Sequence, residues 1–263
     1  MTGGRLGARL WWGLLPLIVL LWGTAALVVS DFPGIDRPPL LTQIAVPVAA
    51  YGRTISLAFA VGALIAFLMS SGHSSDYRAR SRRWGLIWSV IGLGFVAVNA
   101  LALQSDVAGG PLAGEAGGPL GALTATRAGQ AILVQAACLV LALVIVLAPV
   151  GNGHHRRWLA WSSVVLLGVA IGAPSLAGHV GFSGDHVLAG VSVAAHAVAV
   201  SIWVGGLAVV SALALRVPEG AAGILRRFSL LALVCVIVLL ETGLLSTSLT
   251  VGSLGDLLGS TYG

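Results

Sequence analysis

Apolar runs of about twenty residues recur along the chain and are separated by short polar connections. The hydrocarbon core of a bilayer is roughly 30 Å thick, and an α-helix needs about 20 residues to cross it. The sequence predicts seven membrane-spanning helices, at residues 11–30, 53–72, 84–104, 128–150, 158–177, 187–215 and 228–250. We therefore expect an all-α, polytopic integral membrane helix bundle that forms a single domain over residues 1–263.

The composition supports insertion into a lipid bilayer. Hydrophobic residues make up 57% of the chain and charged residues only 9%, which leaves too little polar surface to cover a water-soluble globule. The net charge of +5 comes from arginines in short loops. That distribution favours a topology signal over a nucleic-acid-binding surface. Both cysteines, Cys138 and Cys235, lie within apolar runs, so a disulfide framework is not expected.

The region before residue 53 can be read in more than one way. Arg5 and Arg9 precede the first apolar run, as in a signal peptide, but no Ala-x-Ala cleavage site closes that run. We expect a retained helix. Residues 31–39 are rich in proline and aspartate and are predicted to form a loop, and residues 40–50 are expected to lie along the membrane interface.

Arginines cluster at the N-terminus and in every second connection between the predicted helices. They are Arg5 and Arg9, then Arg78, Arg80, Arg82 and Arg83, then Arg156 and Arg157, and finally Arg216, Arg226 and Arg227. The positive-inside rule assigns these segments to the cytoplasm. The alternate connections carry carboxylates and few arginines, so they are predicted to face outward. We expect a multi-pass protein of the cell (plasma or inner) membrane with a cytoplasmic N-terminus.

His196 lies about ten residues inside the apolar run 187–215. An ionisable side chain at that depth is costly unless a partner, a ligand or a water-filled cavity receives it. Glu241 lies about nine residues from the outer end of the last run and therefore at a similar depth. The two side chains could pair. We predict a polar vestibule that opens outward, with His196 and Glu241 near its floor.

The loop at residues 178–186 would form the mouth of this vestibule, and it holds His179, Asp185 and His186. Imidazole and carboxylate groups are both competent metal ligands, and imidazole suits copper. His186 and His196 would be about 15 Å apart along a helix, too far for one mononuclear site, so we expect two separate stations. Cys138 lies at a depth similar to that of His196 and is a weaker candidate, as a thiolate ligand for Cu(I).

Structural interpretations of the same residues remain open. His196 can be a neutral imidazole that bonds a backbone carbonyl or Ser192 and only joins helices. Gly205 and Gly206 are expected to permit close helix approach, as small residues do in membranes. Glu241 can be protonated, can pair with His196, or can carry a proton or a metal ion.

Three segments together resemble the CopD family of copper resistance and copper import membrane proteins. They are Ala177-Gly178-His179, the stretch from His196 through Trp203, Gly205, Gly206 and Leu207, and the stretch from Arg226 and Arg227 into Thr242-Gly243-Leu244. The nearest likeness is to the CopD-like half of actinobacterial proteins in which a CtaG-like cytochrome c oxidase assembly half follows. The resemblance is strong over residues 177–263 and diffuse over residues 40–176.

The resemblance implies that His179 and His196 are the metal-associated positions, with Trp203, Gly205 and Gly206 as a helix signature. It also implies passage of copper from the outer side, after delivery by an extracytoplasmic copper carrier protein. The chain departs from the family in three ways. Its only methionines are Met1 and Met69, Glu241 stands where an uncharged residue is expected, and the chain stops where family members continue, as in a C-terminally truncated version.

Three functional hypotheses follow. The first is copper import, transport or resistance, with copper ion as the ligand. The second is an assembly factor for cytochrome c oxidase metallation with a CtaG-like or oxidase partner, and the third is a non-transporting structural fragment of a longer CopD-type protein. We do not expect an enzyme, because no nucleophile and base occur at a readable spacing. We do not expect haem, because His196 is the only deep histidine.

Overall fold

The computed structural model describes residues 40–70, 75–108, 121–148, 153–177, 186–218 and 221–250. Within these ranges every regular element is helical and no strand occurs. In chain order the helices are α1 (Leu40–Met69), α2 (Ser75–Ala108), α3 (Gly121–Ala125), α4 (Arg127–Leu147), α5 (Gly153–Ala177), α6 (His186–Val200), α7 (Gly206–Arg216) and α8 (Ala221–Thr250). A π-helical turn, Ser201–Gly205, joins α6 to α7.

Six helical segments in the described residues are long and apolar enough to cross a membrane. They are α1, α2, α4, α5, the continuous segment from α6 through α7, and α8. The prediction of an all-α membrane bundle is confirmed at this level. The predicted span at residues 11–30 lies outside the described residues, as do His179, Asp185 and residues 251–263.

Helix α1 is longer than the sequence predicted. The expected span was 53–72, with residues 40–50 on the interface, but one continuous helix begins at Leu40 and ends at Met69. The reason lies in its packing, because the hydroxyl of the buried Thr42 is 2.6 Å from that of Ser105 near the end of α2. This contact and the buried Ala49 hold the first turns of α1 against the bundle. Residues 40–50 therefore belong to the same helix as the predicted span.

Helix α1 lies at the centre of the bundle, where it contacts α2, α5, the π-helical turn, α7 and α8. Residues 60–66 of α1 are all buried. One side of this stretch packs with α2, α4 and α5 through residues such as Leu64, Leu139 and Leu167. The other side packs with α7 and α8 around Val210 and Ile224. A helix buried on all sides is what a polytopic bundle needs at its centre.

Three glycines allow neighbouring helices to approach closely. A Cβ atom on Gly62 of α1 would overlap the backbone of Gly205, and a Cβ on Gly205 would overlap the carbonyl of Ala58. A Cβ on Gly206 would overlap the ring of Phe228 in α8. This is the close approach that the small residues predicted, and it fixes the segment after His196 against α1 and α8.

Arginines gather at one end of the bundle, where they bond helix ends on neighbouring chain segments. Arg82 donates through Nε and Nη2 to the carbonyl of Val146, at 3.1 and 2.7 Å, near the end of α4. Arg227 donates to the carbonyl of Met69, the last residue of α1, at 2.7 Å. The last carbonyls of a helix have no partner within it and favour cations. These bonds define the arginine-rich end of the bundle.

Candidate functional site

His196 in α6 forms a hydrogen bond with Thr242 in α8. Its Nδ1 lies 2.9 Å from Thr242 Oγ1, which in turn lies 2.7 Å from the carbonyl oxygen of Val238. A hydroxyl has one proton, and a threonine in a helix can donate it to the carbonyl four residues earlier. Because the hydroxyl proton of Thr242 is used in the hydrogen bond to the Val238 carbonyl, Thr242 Oγ1 accepts a hydrogen bond from Nδ1–H of His196. In the neutral ring, Nε2 therefore carries a free lone pair.

Two serines extend this contact into a polar ladder between α6 and α8. Ser192 Oγ donates to the carbonyl of Thr242 at 3.2 Å and lies 3.4 Å from Ser246 Oγ. Ser192 and His196 are four residues apart on α6, as are Thr242 and Ser246 on α8, so each pair shares one helix face. The sequence allowed a bond from His196 to Ser192, but the structure gives each of them a partner on α8.

Glu241 lies at the same depth as His196, as predicted. It precedes Thr242, so its Cα is displaced by about 1.5 Å along the helix axis and turned to the neighbouring face. His196 and Glu241 are both exposed on the side of the bundle, and Leu240 and Leu244 beside them are 62% and 70% exposed. In the part of the chain that the structure describes, no ion pair within 4.0 Å joins His196 to Glu241.

A large groove near these helices is mostly apolar. It has a volume of about 990 Å³, runs between α4, α5, α6 and α8, and is lined mostly by non-polar residues such as Gly168, Gly172 and Ala195. Neither His196 nor Glu241 lines this groove. This groove is therefore not the predicted polar vestibule, whose mouth at residues 178–185 lies outside the described residues.

The remaining predicted ligands are spread along the bundle. His186 is the first residue of α6, ten residues before His196, which corresponds to about 15 Å along the helix. Cys138 is buried in the core beside Leu139 and Cys235 is buried in α8. Among the described residues, no three of His, Cys, Asp and Glu lie close enough together to hold a metal ion.

Trp203 and Gly205 belong to the π-helical turn that follows His196. Trp203 is 36% exposed, whereas Ser201 is buried and donates to the carbonyl of Ala197 at 2.8 Å. A π turn inserts extra backbone into an α-helix, and such turns are frequent at functional sites. In this chain Gly205, within the turn, packs against α1, and Gly206, directly after it, packs against α8. His196, before the turn, bonds Thr242.

Sequence reasoning missed a second polar contact, centred on Gln135. Arg53 donates through Nη1 to Gln135 Oε1 at 3.0 Å, and Gln135 Nε2 donates to the carbonyl of Ala170 at 2.6 Å. Gln135 is 1% exposed. Arg53 was treated as the start of a span, but it lies thirteen residues after Leu40 within α1. The sequence is apolar on both sides of Arg53, which could have indicated that this arginine lies within a helix and not at its start.

Comparison with protein-family models, curated proteins and solved structures finds no match for this chain. The chemistry of the site therefore follows from its own groups. These are an imidazole whose Nδ1 is bound by a threonine, a carboxylate at the same depth, and a lateral surface on which both are exposed.

Proposed function

We propose that this membrane protein handles copper ions and that Nε2 of His196 is a copper ligand on a route inward from the extracytoplasmic side. The supporting observation is the bond from Nδ1–H of His196 to Thr242. In metal-binding histidines, the N–H of the second ring nitrogen usually donates a hydrogen bond to a fixed acceptor, which sets the tautomer and the orientation of the ring. Here that acceptor is Thr242, whose own hydroxyl proton is donated to the carbonyl oxygen of Val238.

Glu241 is the proposed companion of His196, because the two are exposed at the same depth. A carboxylate in a membrane-spanning helix needs a cation, a proton or water, and a copper ion at His196 would supply the cation. Asp185, His179 and His186 form the proposed earlier station, where an extracytoplasmic copper carrier would deliver its ion. Copper is preferred to other metals that imidazole binds because the sequence around His196 resembles that of CopD proteins.

Copper accumulation in cells tests this function. His196→Asn removes Nε2, yet the asparagine amide can still donate to Thr242. Cells that express this variant should accumulate no more copper than cells without the protein. Val193→Ala, on the same helix and also exposed, is the matched control and should accumulate copper like the wild type. Unchanged accumulation in His196→Asn would reject transport through this residue.

Cytochrome c oxidase activity, measured in the same cells, separates transport from assembly. If the protein serves oxidase metallation, with an oxidase or CtaG-like partner, His196→Asn should lower oxidase activity while total copper stays at the wild-type level. If it serves import, cellular copper should fall first, and added copper should restore the oxidase.

A purely structural role is the second candidate, and the same ladder supports it. Ser192, His196, Thr242 and Ser246 join α6 to α8 by side-chain hydrogen bonds. Such bonds contribute on average about 0.6 kcal/mol each in a membrane bundle. This candidate predicts that His196→Asn changes neither copper accumulation nor oxidase activity, and that His196→Leu only lowers the thermal stability.

A further inference from the structure

A cavity of about 350 Å³ lies between α1 and α2 at the arginine-rich end of the bundle. Arg78, Arg82 and Arg83 all line it, and we call it the arginine cavity. Arg78 and Arg82 are four residues apart and so share one face of α2. Ser75, one turn earlier, adds a hydroxyl to the same wall. The cavity therefore brings three arginines together around a space large enough for a phosphate group.

The nearest carboxylate in the sequence does not belong to this cavity. Asp76 is the only acid between residues 75 and 86, and it accepts a hydrogen bond from Arg80 Nε at 2.9 Å. Neither Asp76 nor Arg80 lines the cavity. Arg82 is held in place by its bonds to the carbonyl of Val146, which use two of its five N–H groups. The arrangement favours an anion that accepts several charge-assisted hydrogen bonds.

The position of the cavity points to a lipid as the source of that anion. Phe67, which lies two residues before the end of α1, and Leu86 give the cavity an apolar wall. Basic cavities between membrane helices on the cytoplasmic side can bind anionic headgroups. We propose that the arginine cavity binds the phosphate headgroup of an anionic phospholipid whose apolar part packs against Phe67 and Leu86.

The proposal goes beyond copper handling and is tested on the full-length protein in nanodiscs. The bilayer is phosphatidylcholine doped with phosphatidylglycerol, and bound lipid is counted by native mass spectrometry. The test variant is Arg78→Gln/Arg83→Gln, which leaves Arg82 and its bond to Val146 intact. The matched control is Arg80→Gln/Arg226→Gln, which removes the same charge from arginines that do not line the cavity.

We expect the test variant to lose phosphatidylglycerol affinity by roughly 10- to 30-fold, because each arginine near a membrane surface contributes about fivefold. The control should bind like the wild type, and thermal unfolding of both variants checks that each is folded at the temperature of the measurement. An equal loss in both variants would show that general surface charge attracts the lipid and would overturn the proposal.

Inorganic phosphate is the probe for a free anion as the natural ligand of the cavity. Displacement of the lipid by phosphate at millimolar concentration would assign the cavity to a free anion instead.

Discussion

A single hydroxyl selects the tautomer of the neutral His196 ring. The hydroxyl of Thr242 donates a hydrogen bond to the carbonyl of Val238 and accepts one from Nδ1–H of His196. Nε2 is therefore the ring nitrogen without a proton, on the lateral surface of α6. Position 242 is as important as position 196 in this account. The sequence made His196 conspicuous, because an imidazole in an apolar run is rare. Thr242 could not be identified in that way, because the pairing of α6 with α8 is a property of the fold.

Thr242→Val should weaken copper binding while leaving His196 in place. The valine keeps the shape of the side chain but cannot accept from Nδ1–H, so the ring loses its fixed tautomer. Loss of a group that hydrogen-bonds a metal-binding histidine lowers metal affinity by roughly 10- to 100-fold. Thr247→Val is the matched control, because Thr247 makes the same backbone bond, to Gly243 at 2.9 Å, on an exposed face. Copper titration of both purified variants decides the question, and equal affinities would contradict the role given to Thr242.

Gln135→Leu should destabilise the bundle. The leucine leaves the guanidinium of Arg53 and the carbonyl of Ala170 without the amide that bonds them. An unsatisfied buried polar group costs roughly 1–3 kcal/mol, and more if it is charged. Gln130→Leu is the control on the same helix, because Gln130 is exposed. Thermal unfolding in one detergent should show a lower midpoint for Gln135→Leu alone. Equal midpoints would mean that this contact carries no stability.

At the level of helices, the boundaries show what the sequence can and cannot predict. The apolar runs located six spans, because the bilayer sets a minimum length for each of them. The start of α1 was placed wrongly, since Arg53 resembles the charged end of a span. The structure continues the helix to Leu40, where Thr42 finds a hydroxyl partner on α2. That partner is distant in the sequence, and no local pattern indicates it.

Gly205→Ala tests the contact between the π-helical turn and α1. The added methyl group would overlap the backbone of Ala58, so the helices must separate. Overpacking of this kind costs roughly 1–3 kcal/mol. At Gly94, by contrast, a Cβ meets no atom within 4 Å, so Gly94→Ala should be neutral or stabilising because alanine favours the helix. Thermal unfolding of the two variants measures the difference, and equal midpoints would contradict the close packing at Gly205.

For the molecule as a whole, the arginine-rich end gives the bundle its polarity. Arg82 and Arg227 bond the last carbonyls of α4 and α1 there, and Arg216 lies 5.3 Å from the ring centre of Trp84. From the positive-inside rule we expect this end to face the cytoplasm. The His196 ladder and the Gln135 contact both lie nearer the opposite end. A copper ion that enters from outside would then meet His196 before it reaches the arginines.

Labelling with a membrane-impermeant maleimide tests this orientation. The native thiols, Cys138 and Cys235, are buried and can be replaced by alanine. Thr124→Cys, at an exposed site of the opposite end, should be labelled in intact cells. Ala222→Cys, at an exposed site of the arginine-rich end, should be labelled only after permeabilisation. The reverse pattern would invert the topology and the proposed direction of copper entry.

The copper dissociation constant of the purified protein tests the central claim most directly. Wild type and His196→Asn are compared in the same detergent, with Cu(I) and Cu(II) offered separately against a competing chelator. Removal of the ligating nitrogen should weaken binding of the preferred oxidation state by more than about 100-fold. This is more than the loss expected when only the hydrogen bond to that histidine is removed. The thermal stability should remain near that of the wild type, because asparagine still donates to Thr242. Equal dissociation constants for the two proteins, or no copper binding by either, would contradict a copper site at His196.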